Sequence, residues 1–223
     1  QGVQFGYTSA GRYTSWNDIW SYPGYKERDI LPGDYKYEDW NGDGEINGQD
    51  EHPFAFDQTP WLQFSLNAGL QWKNLDFNML LQGSALGSME YKEPLHEIWG
   101  KNGGGALKQF LDRWHPVDPK ADPYDPSTVW TSGHYAYTGR WAKNNSAFNR
   151  VSTAYLRLKS IELGYTFPKL KQIPNASLRI YANAYNLLTF TGVKFVDPEH
   201  PDDDLGRMYP LNKTYTLGVS LSF

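Results

Sequence analysis

Cysteine is absent, with 0 in 223 residues. That removes disulfide frameworks, thiolate nucleophiles, zinc-finger and iron–sulfur sites, and thiol redox switches. No stretch approaches the roughly 18 consecutive apolar residues of a membrane-spanning helix, which excludes helical insertion. An excess of cations is missing too: 21 Lys+Arg face 25 Asp+Glu, for a formal net charge of -4. Without a basic stripe, nucleic acid is excluded as a partner. The motifs of covalent chemistry are also absent, with no G-x-S-x-G elbow, Walker loop or G-x-G-x-x-G fingerprint. His52, His96, His115, His134 and His200 show no metal-ligand spacing. No carboxylate pair stands out for glycoside hydrolysis. The chain reads as a protein with no catalytic residues, and not as an enzyme.

What is present is aromatic. Phe, Trp and Tyr make up 16% of the chain, alongside 21 Gly and 14 Pro. The clearest pattern has period two. From Trp61 to Trp72, Leu62, Phe64, Leu66, Ala68, Leu70 and Trp72 share one parity, and Gln63, Ser65, Asn67, Gly69 and Gln71 the other. That is a strand with one apolar and one polar face. Lys73-Asn74 makes a tight reversal into Leu75, Phe77, Met79 and Leu81, with Asp76, Asn78 and Gln82 opposite and Leu80 as an exception. The second half repeats the design. Ile161, Leu163, Tyr165 and Phe167 alternate with Ser160, Glu162, Gly164 and Thr166. Leu178, Ile180, Ala182 and Ala184 alternate with Arg179, Tyr181, Asn183 and Tyr185. The chain ends with Tyr215, Leu217, Val219, Leu221 and Phe223 set against Thr214, Thr216, Gly218, Ser220 and Ser222.

The connections between these five strands are unequal. Lys73-Asn74 and Pro168 to Ala176 are short, whereas Gly87 to about Arg150 and Thr191 to about Met208 are long. In an antiparallel array successive links alternate ends, so all short links gather at one end and all long links at the other. The 23 apolar positions carry no Asp, Glu, Lys or Arg, although a charged fraction of 21% would place about five there. A lipid-facing band tolerates charge badly, and runs of eight to twelve residues suit tilted membrane strands of about 9 to 11. Trp72, Phe167 and Phe223 fall at the short-link ends, where an interfacial aromatic girdle sits. A soluble β-sandwich alternates in the same way, so the pattern leaves both readings open. Five strands cannot close a barrel, and an open edge in hydrocarbon leaves backbone groups unpaired. A barrel wall would therefore be a piece of something longer. In keeping with that, the start at Gln1 shows no signal peptide.

The sharpest local signal runs from Asp39 to Asp50. Counting Asp39 as position 1, side-chain oxygens of Asp39, Asn41, Asp43, Asn47 and Asp50 fall at 1, 3, 5, 9 and 12. Gly44 sits at the sharp turn, Ile46 at the apolar position 8, and Glu45 offers its backbone carbonyl from position 7. This spacing wraps oxygens around a hard cation, so Ca2+ is the expected ion, as a structural staple. Asp50 stands where an EF-hand has Glu, and Pro32-Gly33 just upstream argues against an entering helix. The other reading is an Asx-rich turn whose side chains serve their own backbone.

In the long loops, Trp99, Trp114, Trp130 and Trp141 accompany Tyr91, Tyr124, Tyr135 and Tyr137. Such rings suit a ligand platform or a self-packed loop. Leu107 to Trp114 is compatible with a short helix, and the Pro-rich run from Asp118 to Pro126 is turn chemistry. Asp197, Glu199, Asp202, Asp203 and Asp204 read as a solvated loop or a site for a cationic partner.

Four segments in order resemble one family, the SusC-like (RagA-type) TonB-dependent outer-membrane transporters. They are Gly33 to Asn47 (GDYKYEDWNGDGEIN, against the family's GDxKYxDxNGDGxI), Tyr155 to Pro168 (YLRLKSIELGYTFP), Leu178 to Phe190 (LRIYANAYNLLTF), and Tyr209-Pro-Leu with the terminal TYTLGVSLSF. The loop from Glu90 to Asn149 lies outside the resemblance. The resemblance implies an all-β fold, the C-terminal strands of a 22-stranded transmembrane barrel in a bacterial outer membrane, with the plug absent from this chain. It implies uptake of oligosaccharides or peptides, with a SusD-like surface lipoprotein and the TonB complex as partners. Residues 39–50 and 87–150 would be extracellular. The terminal segment 209–223 would carry the barrel-assembly signal at Phe223. The polar parity, including Gln63, Asn67, Gln71, Asn78, Glu162, Arg179 and Asn183, would line the lumen. The competing expectation is a secreted, calcium-stabilised β-sandwich that binds carbohydrate.

Overall fold

The computed structural model describes residues 2–23, 30–92, 95–96, 106–139, 142, 145–168, 176–200 and 206–223. In chain order the first strands are β1 (Val3–Gly6), β2 (Ser9–Arg12), β3 (Tyr35–Tyr37), β4 (His52–Phe56), β5 (Leu62–Trp72), β6 (Leu75–Ala85) and β7 (Ser88–Glu90). They are followed by β8 (His115–Pro116), β9 (Trp130–Thr131), β10 (Arg150–Ser152), β11 (Tyr155–Phe167), β12 (Ser177–Thr191) and β13 (Thr214–Ser222). A short helix, α1 (Trp16–Ser21), lies between β2 and β3. The chain forms two compact units. One comprises Gln1–Asp57, Ser88–Val151 and Asp202–Arg207, and the other Gln58–Gly87, Ser152–Pro201 and Met208–Phe223.

The second unit is a five-stranded sheet in the order β13-β12-β11-β6-β5, antiparallel at every step. These are the five strands expected from the alternation. Their register aligns the apolar parities into rows. Leu70, Phe77, Leu163, Ala182 and Leu217 stand side by side across all five strands. So do Trp72, Leu75, Tyr165, Ile180 and Val219. Among the described residues no layer covers these rows: Leu70 is 65% exposed, Leu163 50% and Leu217 76%. A sandwich would have closed over them, since stacked sheets pack about 10 Å apart with their inner faces interdigitated.

The turn from β5 to β6 closes because Lys73 takes a left-handed φ of 54°. Two departures from regular pairing shape β11. Leu158 pairs with Leu81 and Ser160 with Leu80, leaving Lys159 as an extra residue. A bulge of this kind flips the parity of everything beyond it. Leu156 and Leu158 therefore join Ile161 and Leu163 on the apolar face, while Tyr155 and Arg157 turn to the polar one. On the other side, Leu158 faces Leu188 and Ser160 faces Tyr185, so two residues of β12 lie opposite Lys159. One of them, Asn186, has a φ of 53°. This flip is why simple alternation found only the second half of β11. The link from Pro168 to Ala176, expected to be short, lies mostly outside the described residues.

The first unit folds by a different rule. Tyr7, Tyr37 and Ile46 form a small buried core, with Tyr35 and Phe148 packed against it. Tyr7 and Tyr37 meet edge to face at 5.6 Å, and Phe148 meets Tyr35 at 4.8 Å. The Arg12 guanidinium lies 4.1 Å from the Tyr35 ring centroid and donates to the Gly33 carbonyl at 2.9 Å. Gly33, at φ +92°, has to be glycine for a second reason, because a Cβ there would fall 2.4 Å from the Trp114 side chain. Ser15 caps α1 by accepting from the Asp18 amide. Its Ser-x-x-Asp spacing was a legible start signal. Where a short helix is compatible with Leu107 to Trp114, the chain makes a 3-10 turn over Lys108–Leu111. Among the described residues no helix is long and apolar enough to cross a membrane.

Candidate functional site

The polar face of the sheet concentrates charge at two places. Asp76 on β6, Gly164 on β11 and Tyr181 on β12 share one row. Arg179 reaches along this face to hold Asp76 through Nε at 3.1 Å and Nη2 at 2.5 Å, and Glu162 through Nη2 at 2.7 Å. Asn183 donates to the other Glu162 oxygen at 3.4 Å. The pair can cross β11 because residue 164 is glycine: a Cβ there would lie 2.5 Å from Nη2 and 2.6 Å from the Asp76 carboxylate. The sequence-based lumen candidates Glu162, Arg179 and Asn183 are therefore brought together in one cluster. Asn78 sits in register with Glu162, and Gln71 in register with Asp76.

The second place was not anticipated. Arg157, which the bulge turns to the polar face, is only 2% exposed. Its Nη2 donates to both oxygens of Asp197 at 2.8 Å, and its Nε donates to Thr189 Oγ1 at 2.9 Å. Nη1 lies 2.8 Å from Glu199, and Lys159 holds Glu199 at 2.8 and 3.1 Å. The long segment after β12 is thus pinned to β11 by two cations meeting two carboxylates. A signal existed in the matched i, i+2 spacing of Arg157 with Lys159 and of Asp197 with Glu199. The acidic stretch, expected to be a solvated loop or a site for a cationic partner, is instead half spent inside the fold. Asp202, Asp203 and Asp204 lie outside the described residues.

Residues 39–50 leave β3 and return through a 3-10 turn at Gly48–Asp50 into β4, so no helix enters or leaves the loop. Ile46 anchors it in the small core. Backbone amides converge on the expected ligands. Asp39 accepts from Gly42 at 2.8 Å, Asp43 at 3.2 Å and Gly44 at 2.9 Å. Asn41 Oδ1 accepts from Asp43, Asp43 Oδ1 from Glu45, and Asn47 Oδ1 from Gln49. Asp50 is completely buried, and takes the amides of Trp40 at 2.9 Å and Asn41 at 3.4 Å on one oxygen and of Asn47 at 2.8 Å on the other. Five of the six residues line one exposed turn and Asp50 faces inward as its clasp. Among the described residues no group of three or more His, Cys, Asp and Glu side chains is arranged to hold a metal. Each singly bonded carboxylate oxygen in the turn still has a second lone pair. The donor chemistry of Asp39, Asn41, Asp43 and Asn47 therefore fits a hard cation, while the oxygens of Asp50 are committed to amides.

The loop rings largely pack among themselves. Trp114 is buried, Phe110 meets Tyr135 edge-on at 4.6 Å, and Trp130 meets Tyr137 at 5.3 Å. Tyr124 stays exposed, and Trp99 and Trp141 lie outside the described residues. Asp118, Asp122 and Asp125 each accept the amide two residues on, which is the expected turn chemistry. The Ser127 amide and hydroxyl hold the Asp125 carboxyl below its ordinary range. Burial pulls the His96 imidazole down to about 4, so that it is neutral at physiological pH.

Comparison with known proteins adds sequence and structural relatives. No protein-family model matches the chain. It is 28% identical over 211 residues to TonB-dependent receptor P3 of Formosa agariphila, covering 87% of this chain and 19% of the relative. It is 28% identical over 206 residues to TonB-dependent receptor P26 of the same organism, covering 86% and 20%. Among solved structures, the RagAB peptide transporter superposes with a TM-score of 0.61 at 19% identity, over 99% of this chain and 22% of that one. The RagAB importer in its closed-closed state gives 0.59 at 18% identity, over 99% and 23%. The chain spans about a fifth of the length of the curated relatives it matches.

Proposed function

We propose that the chain is a portion of a SusC/RagA-like TonB-dependent receptor, a reading its relatives support, and that it forms part of the wall and outer loops of an outer-membrane nutrient importer. One observation carries this reading: a five-stranded antiparallel sheet whose uncharged apolar face is uncovered and whose other face holds the Asp76–Arg179–Glu162 cluster. In a barrel the first face meets acyl chains and the second the lumen, where ions stay hydrated and paired. Both edges of the sheet, β5 and β13, then need further strands, because hydrocarbon offers unpaired amides no partner.

The importer would draw energy through the TonB complex and receive its cargo, an oligosaccharide or a peptide, from a SusD-like surface lipoprotein. The transporter-like fold and the receptor relatives support this assignment, and the name of the RagAB peptide transporter lends weight to peptides. The long connections would be extracellular. β13, with Phe223 97% exposed beyond it, would present the signal read by the barrel-assembly machinery. In the 39–50 loop a calcium ion would be held by Asp39, Asn41, Asp43 and Asn47 with the Glu45 carbonyl, stiffening a turn that Ile46 and Asp50 already fix. Extraction tests the importer reading. The native protein should leave membranes only with detergent and migrate as a heat-modifiable band; a freely soluble protein with one fixed mobility would overturn it.

A further inference from the structure

Residues 106–137 hold a groove that the barrel wall does not use. Lys108, Arg113 and His115 line it together with Leu111, Pro116, Pro119 and Tyr137, around a space of about 790 Å³. That is the size of a small-ligand site. Several cations elsewhere have carboxylates, Arg157 with Asp197, Arg179 with Asp76, and Lys36 with Asp18 at 2.6 Å, while Arg12 is held by the Gly33 carbonyl and the Tyr35 ring. Among the described residues no acidic side chain lines the groove. The Arg113 guanidinium has only the Tyr137 ring, 5.9 Å away, and neither it nor Lys108 meets a carboxylate among the described residues. An acidic group arriving from outside would find both cations uncommitted to a carboxylate.

The walls are fixed in advance. Phe110 is buried against Tyr135, the Trp114 amide donates to the Tyr135 carbonyl at 2.8 Å, and β8 pairs with β9. The Val117 amide reaches the Val129 carbonyl at 2.9 Å, and the Asx turns at 118, 122 and 125 hold the rest. Little ordering is left to be done on binding.

The lining also selects among anions. An oligosaccharide presents a ring of hydroxyls and is held by side-chain amides and carboxylates, yet the described residues that line the groove include no Asn, Gln, Asp or Glu. Leucine and proline walls suit aliphatic side chains instead. We propose that this groove binds an acidic, apolar peptide. One carboxylate sits between Arg113 and Lys108, and the neighbouring side chains lie on Leu111, Pro116, Pro119 and Tyr137. The proposal rests on the importer reading and names the class of cargo its loops select.

The test uses the protein purified in detergent and a fluorescein-labelled hexapeptide of leucine and valine ending in two aspartates, titrated by anisotropy. The K108Q/R113Q variant should weaken binding roughly ten-fold or more, the value of one or two charge-assisted hydrogen bonds. An uncharged hexapeptide of the same length should bind both proteins equally. The K108E/R113E variant should prefer a hexapeptide ending in two lysines. Equal affinity of wild type and K108Q/R113Q for the acidic peptide overturns the proposal. So does oligogalacturonate binding as tightly as the acidic peptide with the same dependence on Arg113 and Lys108. Heat-modifiable migration reports separately on the barrel. If it is kept while peptide selectivity is lacking, the groove assignment fails and the importer stands.

Discussion

Leu163 and Ile46 are both aliphatic residues with polar neighbours in sequence, and the structure treats them oppositely. Leu163, at the centre of five strands, keeps half its surface exposed, whereas Ile46, in a loop of Asp, Asn and Gly, is 5% exposed. In the first unit, rings and one isoleucine converge, and burying them removes apolar surface from water at about 25 cal/mol per Å². In the sheet unit the same kind of side chain is aligned in rows and left open. An aqueous protein gains nothing from that arrangement, and a barrel wall in lipid requires it. The polar groups divide as well: ion pairs span the sheet's strands, while side chains in the 39–50 loop mostly serve their own backbone.

The sharpest way to break this contrast is at Arg157. If the sheet's polar face were merely wet, losing Arg157 would cost little. Its near-complete burial between Asp197, Glu199 and Thr189 implies otherwise. Arg157→Ala leaves two half-buried carboxylates, with only Lys159 against Glu199, and removes a guanidinium that is itself buried, so it should cost about 3–5 kcal/mol in urea unfolding from lipid vesicles. Arg157→Lys keeps the charge without the two-pronged reach and should fall between.

The next effect tests the other face. Leu163→Arg should cost about 2–4 kcal/mol in the same assay, provided acyl chains cover the row it shares with Phe77 and Ala182. Ser65→Arg, on the polar parity of β5 opposite the neutral Gln82, should change little. Equal and negligible costs would mean that water bathes both faces, and the contrast between Leu163 and Ile46 would lose its meaning.

Sequence legibility follows the same division. The five strands were readable because a two-faced sheet writes its environment into every second residue. One failure came at Lys159, where an inserted residue reverses parity and hid Tyr155 to Lys159 from an alternation test, and another past Tyr185, where β12 runs on to Thr191. β1 to β4 span only three to five residues each, too few for any period to declare itself. For the 39–50 loop, the spacing indicated that six residues act together and that Ile46 points inward. It could not indicate that Asp50 turns inward too, because that depends on where the amides of Trp40 and Asn47 come to rest. The Arg157 network was missed for a related reason: its partners are forty residues apart, and only the fold brings them together.

The smallest expected effects lie in that loop, where two aspartates should separate structure from ion binding. Asp50→Ala strands the buried amides it serves and should loosen the loop by about 1–3 kcal/mol, read as faster hydrogen exchange at Trp40, Asn41 and Asn47. Asp43 is exposed and accepts one backbone amide, from Glu45. Asp43→Ala should therefore disturb exchange less but lower the calcium content of the purified protein by mass spectrometry, and weaken calcium titration. If metal content is unchanged in Asp43→Ala, the side-chain oxygens of the turn act only on their own backbone, and the loop joins the rest of its unit as a structure closed by internal hydrogen bonds. If calcium falls while Ile46 stays buried, the turn was fixed before the ion arrived, and the ion adds rigidity to a fold that does not depend on it.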